Sequence, residues 1–107
     1  MTADHVIAVA AKHFGIRPCD IIGPGRSPRL IKARFICCSI VRERLDLSYP
    51  ELAKALGYGD HTAAINAVRQ ARVRRQTNDY WARDFDAIET ALLDWREERE
   101  IERLEMF

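Results

Sequence analysis

Nothing in this sequence stays apolar for long. The longest runs, Val6 to Ala11 and Phe35 to Val41, fall far short of the roughly 20 residues that a helical bilayer crossing needs. The first run is preceded by Asp4 and His5, and no small-residue cleavage pattern follows it. A secretory signal is therefore not expected, and the reading is a soluble, cytoplasmic protein. Cysteine is scarce and odd in number: Cys19, Cys37 and Cys38. The last two are neighbours on what reads as a helix, where adjacent side chains diverge, so disulfides are not expected and small buried apolar side chains are. The three histidines, His5, His13 and His61, share no zinc-type spacing with them. No metal and no cofactor are expected. Nor is there a surplus of charge of one sign, since 17 Lys and Arg stand against 16 Asp and Glu. Internal repeats and low-complexity segments are also missing.

The arrangement of the charges says more than their sum. Residues 1–76 hold thirteen Lys and Arg against six Asp and Glu, hence +7, and residues 77–107 hold four against ten, hence −6. A basic body is followed by an acidic tail, as in a protein whose body meets phosphates. With 107 residues the chain suffices for one domain with its own core.

Helical punctuation is clear along the chain. Thr2 or Asp4 caps a first helix, with Val6, Ile7, Val9, Ala10 and Phe14 at helical spacing and Gly15 as its stop. Ile16 to Ile22, with Pro18 near its start, reads as a single helical turn whose Ile21 and Ile22 anchor the following loop, Gly23-Pro24-Gly25-Arg26-Ser27-Pro28-Arg29. Ser27-Pro28 then caps and opens a long helix, apolar almost all round between Phe35 and Val41, which is expected to be the most buried. Its first turns are expected to expose Arg29, Lys32 and Arg34, which with Arg26 make a basic cluster. Such a cluster is an ordinary solvated helix end unless the fold sets it beside another element that meets phosphates.

Ser48-Tyr49-Pro50-Glu51 fits a capping box for a short helix that ends at Leu56. Gly57-Tyr58-Gly59 turns the backbone, and Asp60 caps the next helix. This is a helix-turn-helix pattern. The second helix carries Ala64, Ile65, Val68 and Ala71, or Arg72 with its stem buried, inward and Thr62, Asn66, Arg69 and Val73 on another face. A last helix starts at Thr77, Asn78 or Asp79, with Trp81, Phe85, Ile88, Leu92 and Trp95 at spacings of four, three, four and three. Residues 96–107 read as an acidic helical extension whose Ile101, Leu104 and Phe107 offer a surface for a homodimer or protein partner.

Asp60-His61-Thr62 after the glycine turn, Ala33-Arg34 near the head of the long helix and Ser48 to Ala53 together resemble the C-terminal DNA-binding domain of the bacterial replication initiator DnaA. The resemblance covers about Val6 to Trp95, and it sets the domain at residues 1–95. It implies an all-α, Trp-repressor-like helix-turn-helix bundle that binds short sites, DnaA boxes, in double-stranded DNA. By that resemblance Asp60, His61 and Thr62 contact the major groove, with Ala63, Asn66 and Arg69 along the same helix, and Lys32 enters the adjacent minor groove with Arg26, Arg29 and Arg34 close by. The chemistry agrees, because a carboxylate can accept from cytosine N4 and a methyl group can meet that of thymine. Two positions depart from the family pattern. Gly59 stands where a guanine-reading arginine is usual, and Ala63 where a second threonine is.

No Gly-x-x-x-x-Gly-Lys phosphate loop occurs, so nucleotide-driven origin melting is not expected of these residues. Catalysis is not expected either: Asp60 and His61 are adjacent and cannot orient one another, and no nucleophile has a base at a recognisable spacing. With no small-molecule substrate expected, two readings stay open. One is a sequence-selective duplex binder, nucleoid-associated, that acts by occupancy as a replication or transcription regulator. The other is a protein-interaction module that kept the fold and lost strong DNA binding.

Overall fold

Short polar side chains set where the helices begin. In a computed structural model that describes the backbone of residues 1–105 and the side chains of residues 1–94, the helices are α1 Ala3–Phe14, α2 Pro18–Ile22, α3 Pro28–Leu45, α4 Tyr49–Leu56, α5 His61–Thr77 and α6 Asp79–Glu105. Thr2 Oγ1 accepts from the His5 N–H, Ser27 Oγ from Leu30, Ser48 Oγ from Glu51 and Asp60 Oδ1 from Thr62. Asn78 Oδ1 does the same for Tyr80 at the head of α6. Each of these acceptors satisfies a first-turn N–H that has no partner within its own helix. Two helices end on left-handed glycines, Gly15 at φ 68° and Gly57 at φ 78°, while α3 ends on Asp46 at φ 52°.

All regular structure among the described residues is helical, as expected for the all-α class. The centre is α3. Every residue from Ile36 to Val41 is buried, including Ser39, because α1, α2, α4 and α5 all pack on this helix. That explains how the adjacent Cys37 and Cys38 are both fully buried although their side chains diverge. Burial pushes the Cys38 thiol up to about 12, so it behaves as a small hydrophobe. Cys19, by contrast, is exposed.

The stripe on α6 closes this bundle from the other side. Trp81, Phe85, Ile88 and Leu92 are all buried, and α6 packs on α5 and α1. Burying each such large apolar side chain stabilises the fold by about 1.5–3 kcal/mol. Trp95 and the acidic extension with Ile101, Leu104 and Phe107 lie outside the residues whose side chains are described. No helix among the described residues is long and apolar enough to cross a membrane.

Several sequence expectations are corrected. Arg34 is not exposed at the head of α3 but buried, with 8 % of its surface accessible. Ile21 anchors the α2 end in the core, while Ile22 keeps 38 % of its surface exposed. On α5 the fully buried positions are Ala64, Ala67, Val68 and Ala71, with Ile65 only half-buried, so that mostly small side chains make the buried face of α5, which packs on α3 and α4.

Candidate nucleic-acid interface

The turn between α4 and α5 is built by one glycine. Gly57 lies in the left-handed region, where its N–H bonds to Ala53 O and Lys54 O, and a Cβ there would collide with the Ile22 carbonyl oxygen. Gly57 thereby seats the turn directly on the end of α2. Gly59 is different: its φ is ordinary and nothing lies within 4 Å of where its Cβ would be. The backbone does not require glycine at that position. Tyr58, between them, leans inward, and burial together with the neighbouring Cys38 thiol raises its phenol above the usual range.

From this turn α5 projects its first residues into solvent. His61, Thr62, Asn66 and Arg69 are exposed and Ala63 is half-buried, so the side chains lie along one outward face. Asp60 is exposed too. Its Oδ1 accepts the Thr62 N–H, and this bond, foremost among its contacts at the tip of α5, holds its carboxyl below the usual aspartate range.

The loop that follows α2 stands across from this face. Gly23, Pro24 and Arg26 form one wall of a groove of about 560 Å³, and Gly59, Ala63 and Asn66 form the other. Ile31 and Phe35 of α3 lie between the two walls. The fold therefore brings Arg26 beside the start of α5, which the basic cluster needed in order to be more than a solvated helix end.

The rest of that cluster divides. Arg29 is exposed at the start of α3, and among the described residues no ion pair engages Arg26, Arg29 or Arg69. Lys32 is engaged: it forms an ion pair with Asp84 of α6 and lies 5.7 Å from the Trp81 ring centre. Asp84 also bonds to His13 at 2.9 Å. Burial raises the Asp84 carboxyl, but the His13 and Lys32 contacts outweigh it and hold the group below its ordinary value. Lys32 lines a second groove, with Arg29, Arg74 and Trp81, rather than the one beside Asn66. Arg34 lies at the base of the Arg26 groove with 8 % of its surface accessible, and its guanidinium donates to backbone carbonyls of α2 and the loop.

Sequence reasoning passed over three of these features. The ion pair of Lys32 with α6 depends on a contact between distant segments, which no local pattern carries. The close approach of Gly57 to Ile22 is of the same kind. For Arg34 a signal was present: it precedes Cys38 by one helical turn and Val41 by two, which places it on the inward face of α3.

A family described as bacterial DnaA protein helix-turn-helix matches residues 3–71, more than half of the chain. The chain belongs to this family. Its DnaA helix-turn-helix comprises α4 and α5, and membership implies that it binds DNA. The chain is 40% identical over 68 residues to the chromosomal replication initiator protein DnaA of Corynebacterium jeikeium, covering 64% of this chain and 12% of that protein. It is 36% identical over 72 residues to the DnaA of Cutibacterium acnes, covering 67% and 14%. To the DnaA of Neisseria meningitidis serogroup B it is 27% identical over 88 residues, covering 82% and 17%. The chain thus spans less than a fifth of the length of these relatives. The family match ends at residue 71, on α5, so α6 and its Asp84 contact lie beyond it.

Proposed function

We propose that this chain is a sequence-selective binder of double-stranded DNA, with preference for sites of the DnaA-box kind. The helix α5 enters the major groove with Asp60, His61, Thr62 and Ala63 at the base edges and Asn66 and Arg69 further along. The loop carrying Arg26 follows the adjacent minor groove, and Arg29 meets the backbone. Acting by occupancy and without ATPase activity, the protein regulates replication or transcription on the nucleoid. Residues 1–95 form the binding domain, and the acidic extension 96–107 serves a homodimer contact or a protein partner.

The observation that carries this reading is the groove shared by Arg26 on one wall and Ala63 and Asn66 on the other. A single helix in the major groove gives a small interface, and a basic arm in the neighbouring minor groove is the usual supplement. The position of Arg26 on that groove supports its role as such an arm.

The test is selection from random duplexes, followed by affinity measured against salt. Log affinity for the enriched site should fall linearly with log salt, by about 0.9 per phosphate neutralised. Failure to enrich any motif, with a flat salt response, would refute the reading and favour the interaction module.

A further inference from the structure

A buried guanidinium must find acceptors, and Arg34 finds four. Its Nε donates to the Ile21 carbonyl, and one terminal nitrogen donates to Gly23 O at 2.7 Å, Gly25 O at 3.0 Å and, more weakly, Asp20 O at 3.4 Å. All four are backbone groups. Asp20 and Ile21 belong to the last turn of α2, whose carbonyls have no partners within the helix, and Gly23 and Gly25 belong to the loop that follows. One side chain of α3 thereby closes α2 and fixes the path of the chain leaving it.

The next residue along that path is Arg26. On its other side Ser27 is fixed as the cap of α3, its Oγ accepting from Leu30 N at 3.3 Å. Arg26 is therefore the single residue between two anchors, Gly25 held by Arg34 and Ser27 held by Leu30. Without the first anchor, Gly23-Pro24-Gly25 would keep two glycines of high conformational freedom and the Gly23 N–H bond to Cys19 O. A loop that must be ordered during binding loses affinity, whereas one ordered beforehand does not.

We propose that Arg34 is a positioning residue for DNA recognition, holding the Gly23–Gly25 backbone so that Arg26 stands across the groove from Ala63 and Asn66. The proposal rests on the reading of that groove as the duplex interface. Arg34 makes no contact with DNA and acts through Arg26.

The test is a double-mutant cycle on the full chain, with the duplex that the unmodified protein selects as probe, below the melting temperature of every variant. Arg26→Gln should weaken binding by about tenfold and reduce the salt slope by about 0.9. Arg34→Gln should lose most of the same factor and the same slope, although it removes a buried charge. The double variant should bind no more weakly than Arg26→Gln alone, and Arg34→Lys should recover part of the loss. A control pair with Arg69→Ala should multiply with Arg34→Gln, since Arg69 is not on the loop. If the losses from Arg26→Gln and Arg34→Gln multiply, or if Arg34→Gln lowers only the melting temperature and leaves affinity unchanged, the proposal is overturned. Should Arg34→Gln not fold, the cycle is run with Arg34→Lys, and the same outcomes decide. An unmodified protein that binds no duplex would instead overturn the reading of the groove, and the proposal with it.

Discussion

Replacing Gly59 by arginine asks whether the tip of α5 lacks a base reader for chemical or for steric reasons. The backbone at Gly59 has no positive φ, and the space around its Cβ position is open. A side chain should therefore enter without strain. Removing a glycine from such a site also restricts the unfolded chain, which stabilises by about 0.4–1 kcal/mol. The new guanidinium would lie between Asp60 and the groove wall formed by Ala63 and Asn66, where it can reach a guanine edge. A bidentate arginine–guanine pair contributes about 1–3 kcal/mol of discrimination, or roughly five- to 150-fold in affinity between a site with guanine and one without. Fluorescence anisotropy on matched duplexes that differ at one base pair would measure this, with thermal melting alongside. The salt slope separates two ways of gaining affinity: a base contact leaves it nearly unchanged, while a phosphate contact steepens it by about 0.9. A fall in Tm of about 4 °C or more would refute the claim that the position is open. Unchanged discrimination with normal folding would refute the placement of residue 59 at the base edges.

Other expectations follow from single contacts. Asp84→Asn should free Lys32 and tighten duplex binding a few-fold at low salt, measured by anisotropy; weaker binding would show that the pair with Asp84 supports the interface rather than masks a cation. The same variant has a pH signature. Because the folded Asp84 carboxyl lies below its ordinary value, its contribution to stability is present above that ordinary value, near pH 4, and is lost as pH falls through the folded one, so the acid limb of a Tm-against-pH curve should be shallower in Asp84→Asn. Gly57→Ala should cost at least about 1–3 kcal/mol in urea unfolding, since alanine must adopt φ 78° and meet the Ile22 carbonyl. Asp46→Gly should raise stability by up to about 1 kcal/mol in the same assay, because glycine occupies the left-handed end of α3 without the Cβ conflict that Asp46 bears at φ 52°.

What could be read from the sequence was mostly local. Ser27, Ser48 and Asp60 cap the helices they were expected to cap, because a cap is decided by a short side chain within three residues of the N–H it serves. The Trp81, Phe85, Ile88 and Leu92 stripe is buried as its spacing implied, since periodicity reports which face leaves water. The candidate site was less legible. Arg26, Arg29, Lys32 and Arg34 look alike as cations within nine positions, yet two have no ion pair among the described residues, one is paired with Asp84 and one is buried against carbonyls. The difference lies in what α2 and α6 bring to each of them, over separations of nine to more than fifty residues. The two glycines of the turn looked alike as well, and only packing distinguishes Gly57, confined by Ile22, from Gly59, which faces open space.

The enclosure of the middle of α3, Ile36 to Val41, has a consequence for how the groove opens and closes. Its floor, Ile31 and Phe35, belongs to α3, the loop wall is fastened to α3 through Arg34, and the α5 wall rests on it through Ala64, Ala67, Val68 and Ala71. Backbone amides from Ile36 to Val41 have no face from which water can reach them without parting several helices at once. They should exchange hydrogen at the rate of global unfolding, and both walls should lose their spacing in that same event. The distance between Arg26 and α5 is then a property the molecule has in full or not at all, a fixed calliper rather than an adjustable jaw.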